Sequence, residues 1–186
     1  MTLSVTDRDA VGRTLRPEPG KTISRRRIVG VVVGATVGLD QVTKLVALRR
    51  LSPTAIHIWG DLVRLQLSDN AGAFLGLGAK LSPSLRFWVF TVASAAMVLW
   101  VLAYALRTDD LPRDGIVAMA LVAGGGIGNL IDRTSRGGKV VDFLNFGLGH
   151  LRTGILNIAD IAIFFGALYV MWVAVQASRR SVDSDD

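Results

Sequence analysis

Carboxylates are the chemistry-bearing residues of this chain. With no cysteine and only two histidines, His57 and His150, in 186 residues, thiolate catalysis, disulfides and zinc–cysteine sites are excluded. Neither histidine lies in an HExxH pattern, so a zinc protease is not expected. No GxSG or Ser-x-x-Lys pattern supplies a nucleophilic serine. What remains is a set of polar residues in apolar surroundings: Asp40 and Lys44 in GLDQVTKLVAL, Asn129 and Asp132 in GGGIGNLIDR, Asp142 in VVDFL, and Asn157 and Asp160 in GILNIADIAIFF. Two acids brought close in a site of low polarity do not both ionise. They share a proton, so that one can activate water while the other protonates a carbonyl.

Asp160 is the first candidate for such a pair, and Asp40, Asp132 and Asp142 compete for the second place. Asp40 has Lys44 four residues on, one helical turn away, as an ion-pair partner. Asp132 is followed at once by Arg133, which predicts a local ion pair. Asp142 has no basic residue within two positions, and in a strand it points away from Val141 and Phe143. That favours Asp142, against the ordinary reading of a loop carboxylate as exposed.

The elements that must position these groups are membrane spans. Half of the chain (51%) is hydrophobic, and four runs approach the roughly 20 apolar residues that a bilayer core requires: residues 28–48, 87–106, 116–131 and 155–175. The third is short and ends in glycines. Residues 1–27 are polar and end in Arg25-Arg26-Arg27, which predicts a disordered basic tail; residues 177–186 form a second polar tail. An Asp or Lys at a span centre costs about 2.5–3.5 kcal/mol, so each buried one needs a partner or a purpose. At about 1.5 Å per residue, Asp40 lies some 12 Å from the end of the first span, and Asn157 and Asp160 lie roughly 4–9 Å inside the fourth, at the ends that meet the first and third loops. All the polar groups therefore fall in one leaflet, whichever way the protein faces.

Between spans one and two, Ile56–Trp59, then Gly60-Asp61, then LVRLQL reads as a hairpin, and KVVDFLNF between glycines in the third loop reads as a further strand. Both belong to a small β-rich cap. Gly124, Gly125, Gly126 and Gly128 allow close approach along the third span. The net charge of +6 lies in tails and flanks, so nucleic acid is not expected as a partner. The arginines before the first span put both termini in the cytoplasm, although the loops carry Arg49, Arg50, Arg64, Lys80, Arg133, Arg136, Lys139 and Arg152 on the opposite side. A small proton- or ion-coupled transporter is the alternative function, disfavoured because the inner halves of the spans are almost purely apolar. A noncatalytic membrane scaffold is a third reading.

The motifs DQVTK (40–44), DNAGAF (69–74), GGGIGNLIDR (124–133), VVDF (140–143) and LNIAD (156–160) occur in the order found in the bacterial lipoprotein signal peptidases (signal peptidase II), which this chain resembles over about residues 28–175. Leu156 stands where that family usually has Phe. The resemblance implies a membrane α-helical fold of four transmembrane helices with a small extracytoplasmic β cradle. It also implies an aspartic endopeptidase without metal or cofactor, cleaving diacylglyceryl-modified prolipoproteins before the lipidated Cys. On that resemblance the catalytic pair is Asp142 and Asp160, and Asp40, Lys44, Asn70, Gly72, Asn129, Arg133 and Asn157 support the pair or bind substrate. Globomycin-type peptides are the expected inhibitors, membrane lipids the surroundings, and a monomer in the cell membrane the expected form.

Overall fold

The computed structural model describes residues 24–72, 78, 81–108 and 111–182, with side chains described as far as residue 176. The tail expected over residues 1–27 lies almost wholly outside these, as do Ala73 and Phe74 of the asparagine motif and Lys80. Among the described residues four helices are long and apolar enough to cross a bilayer. Helix α1 (Arg25–Arg50) starts at Ser24, whose hydroxyl caps the Arg27 N–H, and stops where Leu51 turns extended. Its buried residues, Val29, Thr36, Asp40, Lys44 and Ala47, form one stripe. Val31, Leu39, Val42 and Val46 are exposed on its other faces. Polar groups inside and apolar groups outside are the inverse of a helix in water, as a lipid solvent demands.

Strands β1 (Ile56–Ile58) and β2 (Val63–Asn70) follow as the expected hairpin, pairing antiparallel with Ile56 opposite Leu65. Helix α2 (Pro83–Arg107) opens with Ser82 capping Leu85 and contains a wide π turn over Phe87–Val92. Helix α3 (Arg113–Ser135) packs against α1, α2 and the last helix. It outruns the short apolar segment at both ends, by residues 113–115 before Ile116 and by residues 132–135 after Ile131, and its polar residues Asn129 and Asp132 are buried. A side chain on Gly124 would meet Thr36 of α1 at 2.8 Å, and one on Gly125 would collide with the Ala159 carbonyl. The glycines thus set the helix spacing.

Strand β3 (Val140–Leu148) pairs antiparallel with β2, and the short β4 (Leu151–Arg152) completes a sheet in the order β1-β2-β3-β4. An extra residue in β2 between Leu65 and Ser68 shifts the register just before Ser68 meets Asp142. Such bulges re-aim neighbouring side chains. The segment leading into helix α4 (Ile158–Val182) is stapled to β3: the Phe143 and Leu144 N–H groups donate to the Leu156 carbonyl at 2.8 Å each, and Leu156 N–H donates to Leu144 at 2.7 Å. That staple carries Asp142 to the mouth of α4.

Candidate active site

Asn157 immediately precedes α4, and its side-chain oxygen accepts the Asp160 N–H at 2.9 Å while its own N–H donates to the Asp160 carboxylate at 3.3 Å. This reciprocal pair is a capping box: two orphan groups at a helix start satisfy each other. Asn157 and Asp160 therefore lie at the very start of the fourth helix and not inside the span, where the apolar run 155–175 put them. They are the N-cap and third residue of its first turn.

The Asn157 side-chain amide then reaches across to β3. Its Nδ2 donates to Asp142 Oδ1 at 2.7 Å and lies 3.1 Å from Asn129 Oδ1. Asn70, at the end of β2, donates to the other oxygen of Asp142 at 2.9 Å. Asn129 of α3 donates to Asp160 Oδ1, also at 2.9 Å. One asparagine thus touches both carboxylates, and a further asparagine fixes each. Asp142 is 1% exposed rather than a loop carboxylate in water, whereas Asp160 remains partly accessible. Burial, and then the nearby charge of Asp160, push the Asp142 carboxyl up to about 7.

Beneath the pair lies an ion cluster. Lys44 Nζ is 2.8 Å from Asp40 and 3.0 Å from Asp132, and it donates to Asn129 Oδ1 at 3.1 Å. Asp40 Oδ1 accepts the Ala159 N–H and Asp132 Oδ2 accepts the Val141 N–H, each at 3.0 Å. The residues holding Lys44 therefore also hold the peptide groups just before Asp160 and Asp142. Gln41, which the sequence did not single out, closes the cluster by donating to Asp40, Asp132 and the Gly128 carbonyl. Its place one residue after Asp40 was the available signal.

The local pair expected between Asp132 and Arg133 does not form. Consecutive helical residues point about 100° apart, so Asp132 turns inward to Lys44 while Arg133 leaves for the sheet side. There Arg133 donates to the Gly72 carbonyl at 3.1 Å and lies 6.0 Å from the centre of the Phe90 ring. Asn70 accepts the Gly72 N–H at 2.9 Å, so Gly72 links Arg133 to the residue that holds Asp142. Arg133 Nε is buried with no hydrogen-bond partner among the described residues. Arg133 also borders a cavity of about 430 Å³ lined by Ala71, Phe87, Thr91 and Lys139 among others. The two aspartates are not among its lining residues; Arg133 is connected to Asp142 through Gly72 and Asn70.

Four spans, a small sheet across one end and a polar centre at their junction define a multi-pass membrane protein equipped for acid–base chemistry. The family model for Signal peptidase (SPase) II matches residues 32–176. The lipoprotein signal peptidase of Burkholderia mallei (strain SAVP1) is 31% identical over 169 residues, spanning 91% of this chain and 98% of the relative. That of Burkholderia vietnamiensis (strain G4 / LMG 22486) is 35% identical over 140 residues, 75% of this chain and 82% of its own. A bacterial membrane enzyme structure obtained by the in meso method at 2.3 Å resolution shares the fold, with a TM-score of 0.69 over 81% of this chain and 88% of that one, at 24% identity. The chain belongs to the signal peptidase II family and is a membrane peptidase. None of these relatives supports the transporter alternative.

Proposed function

We propose that this peptidase is of the aspartic type and removes signal peptides from diacylglyceryl-modified prolipoproteins, cutting before the lipidated Cys, with Asp142 and Asp160 as the catalytic pair. The observation that carries this reading is Asn157, with its side-chain amide on Asp142 and its backbone N–H on Asp160. A carboxyl held up to about 7 beside a second carboxylate suits a pair that shares one proton near neutral pH. One member takes a proton from water as the oxygen attacks the scissile carbonyl, and the other gives its proton to the carbonyl oxygen. Collapse of the tetrahedral intermediate breaks the C–N bond and returns a proton to the leaving amine.

In this reading Asn70, Asn129 and Asn157 orient the pair, and Asp40 and Lys44 anchor its backbone. Gly72 and Arg133 face the substrate, for which the free Nε of Arg133 is a ready donor. The acyl chains of the substrate lie in lipid beside the helices. The site opens on the extracytoplasmic side, both termini are cytoplasmic, the protein acts as a monomer, and globomycin-type peptides compete for the same site.

The test uses the full chain in lipid vesicles with a prolipoprotein precursor, lipidated or not, followed by gel mobility and by mass spectrometry of the new N-terminus. Cleavage of the lipidated precursor alone, leaving the modified Cys first, is expected. Equal cleavage without the lipid would overturn the substrate assignment.

A further inference from the structure

The end of the sheet farthest from the aspartates carries an apolar tip that the peptidase chemistry does not use. The β1–β2 turn exposes Trp59 (78%) and Leu62, and the β3–β4 turn exposes Leu148 and Leu151 (83%). The two turns lie side by side, because Gly147 N–H donates to the Leu62 carbonyl at 2.9 Å and Arg152 donates to the Asp61 carbonyl at 2.9 Å. The basic side chains there are engaged by Asp61: Arg64 makes two bonds to its carboxylate at 2.7 and 2.6 Å, and the exposed His57 lies 2.6 Å from it. Charge is consumed within the tip while its large apolar groups face out. Among the described non-glycine residues, Trp59 and Asp61 alone have positive φ, at 50° and 78°. For a bulky residue that conformation is strained, and here it displays the indole.

All the strands lie between the end of α1 and start of α2, or between the end of α3 and start of α4, so the sheet sits at the level of one bilayer surface. From Asp142 to Leu148, β3 spans about 20 Å, so the tip lies well clear of the aspartates. We infer that the paired turns insert Trp59, Leu62, Leu148 and Leu151 into the headgroup and upper acyl region of the surrounding bilayer. The tip thereby anchors the outer end of the sheet to lipid as a monotopic element beside the spans. A tryptophan with neighbouring leucines suits the interface, where an amphipathic ring and a short apolar wedge are both satisfied. The lipid-facing surface of the four helices meets the same interface, so the tip extends an existing contact.

The test places the full chain in phosphatidylcholine–phosphatidylglycerol vesicles with Trp88, Trp100 and Trp172 replaced by phenylalanine, leaving Trp59 as the reporter. Blue-shifted emission that lipids brominated high on the acyl chain quench strongly, and that aqueous iodide barely touches, is the expected result. Water-like emission open to iodide would overturn the inference. So would an indole shielded from iodide but not quenched by brominated lipid, since a second copy or another protein would then cover it. The absence of cysteine allows an independent reporter, Leu151→Cys carrying a nitroxide, in an otherwise unaltered chain. Its relaxation should respond to oxygen more than to a water-soluble nickel chelate, and the reverse order would contradict insertion.

Discussion

Replacing Lys44 by methionine keeps most of the side-chain volume but removes the ammonium that two buried carboxylates share. Lys44 and its partners Asp40 and Asp132 are each at most 2% exposed along their side chains, at 2.8 and 3.0 Å. Removing one member of a buried pair costs about 3–5 kcal/mol, chiefly because the remaining charge is stranded. Against a total stability of about 5–15 kcal/mol this is large, and for a chain of this size it lowers the melting temperature by roughly 6–20 °C. The Ala159 and Val141 N–H groups would still bind Asp40 and Asp132, so the loss belongs to the charge and not to the backbone contacts. The triple variant Asp40→Asn, Lys44→Met, Asp132→Asn keeps an acceptor for each N–H and strands no charge, so it should regain most of the loss. Thermal unfolding in detergent micelles reads all three proteins. A Lys44→Met protein within about 1 kcal/mol of the parent, or a triple variant no more stable than the single, would refute the view that this cluster is a satisfied ion triad.

Four further outcomes follow from the same geometry. The Asp142 carboxyl, raised from 3.8 to about 7, binds its proton more tightly folded than unfolded. Its contribution to stability is therefore fully present below about 3.8 and is lost as pH rises through about 7; Asp142→Asn should flatten that part of the stability–pH curve measured by unfolding. Cleavage by the parent should likewise fall on the alkaline side of about 7 as the shared proton leaves. In Gly128→Ala the new methyl would lie 2.5 Å from Asp40 Oδ2, and because that carboxylate is pinned by Lys44 and Ala159, overpacking should cost about 1–3 kcal/mol in the same unfolding assay. Asn157→Ala removes a helix cap and the donor to Asp142 together, and should cost about 2–4 kcal/mol while slowing cleavage far more than Thr153→Ala, a neighbouring control.

Much of this was legible in the chain because a lipid solvent makes polar residues conspicuous. Asp40 and Lys44 could be paired from a four-residue spacing, and the four apolar runs marked the helices. The hairpin and the strand bearing Asp142 were readable from alternation and flanking glycines. Contacts between elements were not legible. Spacing along α3 could not say that Asp132 turns to Lys44 and Arg133 to Gly72, because that choice depends on which helix lies on which side. The β2 bulge and β4 leave no mark strong enough to read. One further signal lies in the chain: Asn-x-x-Asp just before an apolar run is a capping-box pattern. It fixes the helix start at Asn157 and so places Asp160 in the first turn of α4 rather than deeper in the bilayer.

The central claim, that Asp142 and Asp160 act as one proton-sharing pair, is tested most directly by Asp142→Asn and Asp160→Asn made singly. Each is assayed in lipid vesicles on a lipidated precursor by gel mobility, with folding verified by thermal unfolding. Both variants should remain folded and lose cleavage by about 10²–10⁴-fold or more, the contribution of a general acid or base. A folded variant of either kind that cleaves at near-parental rate would contradict the account.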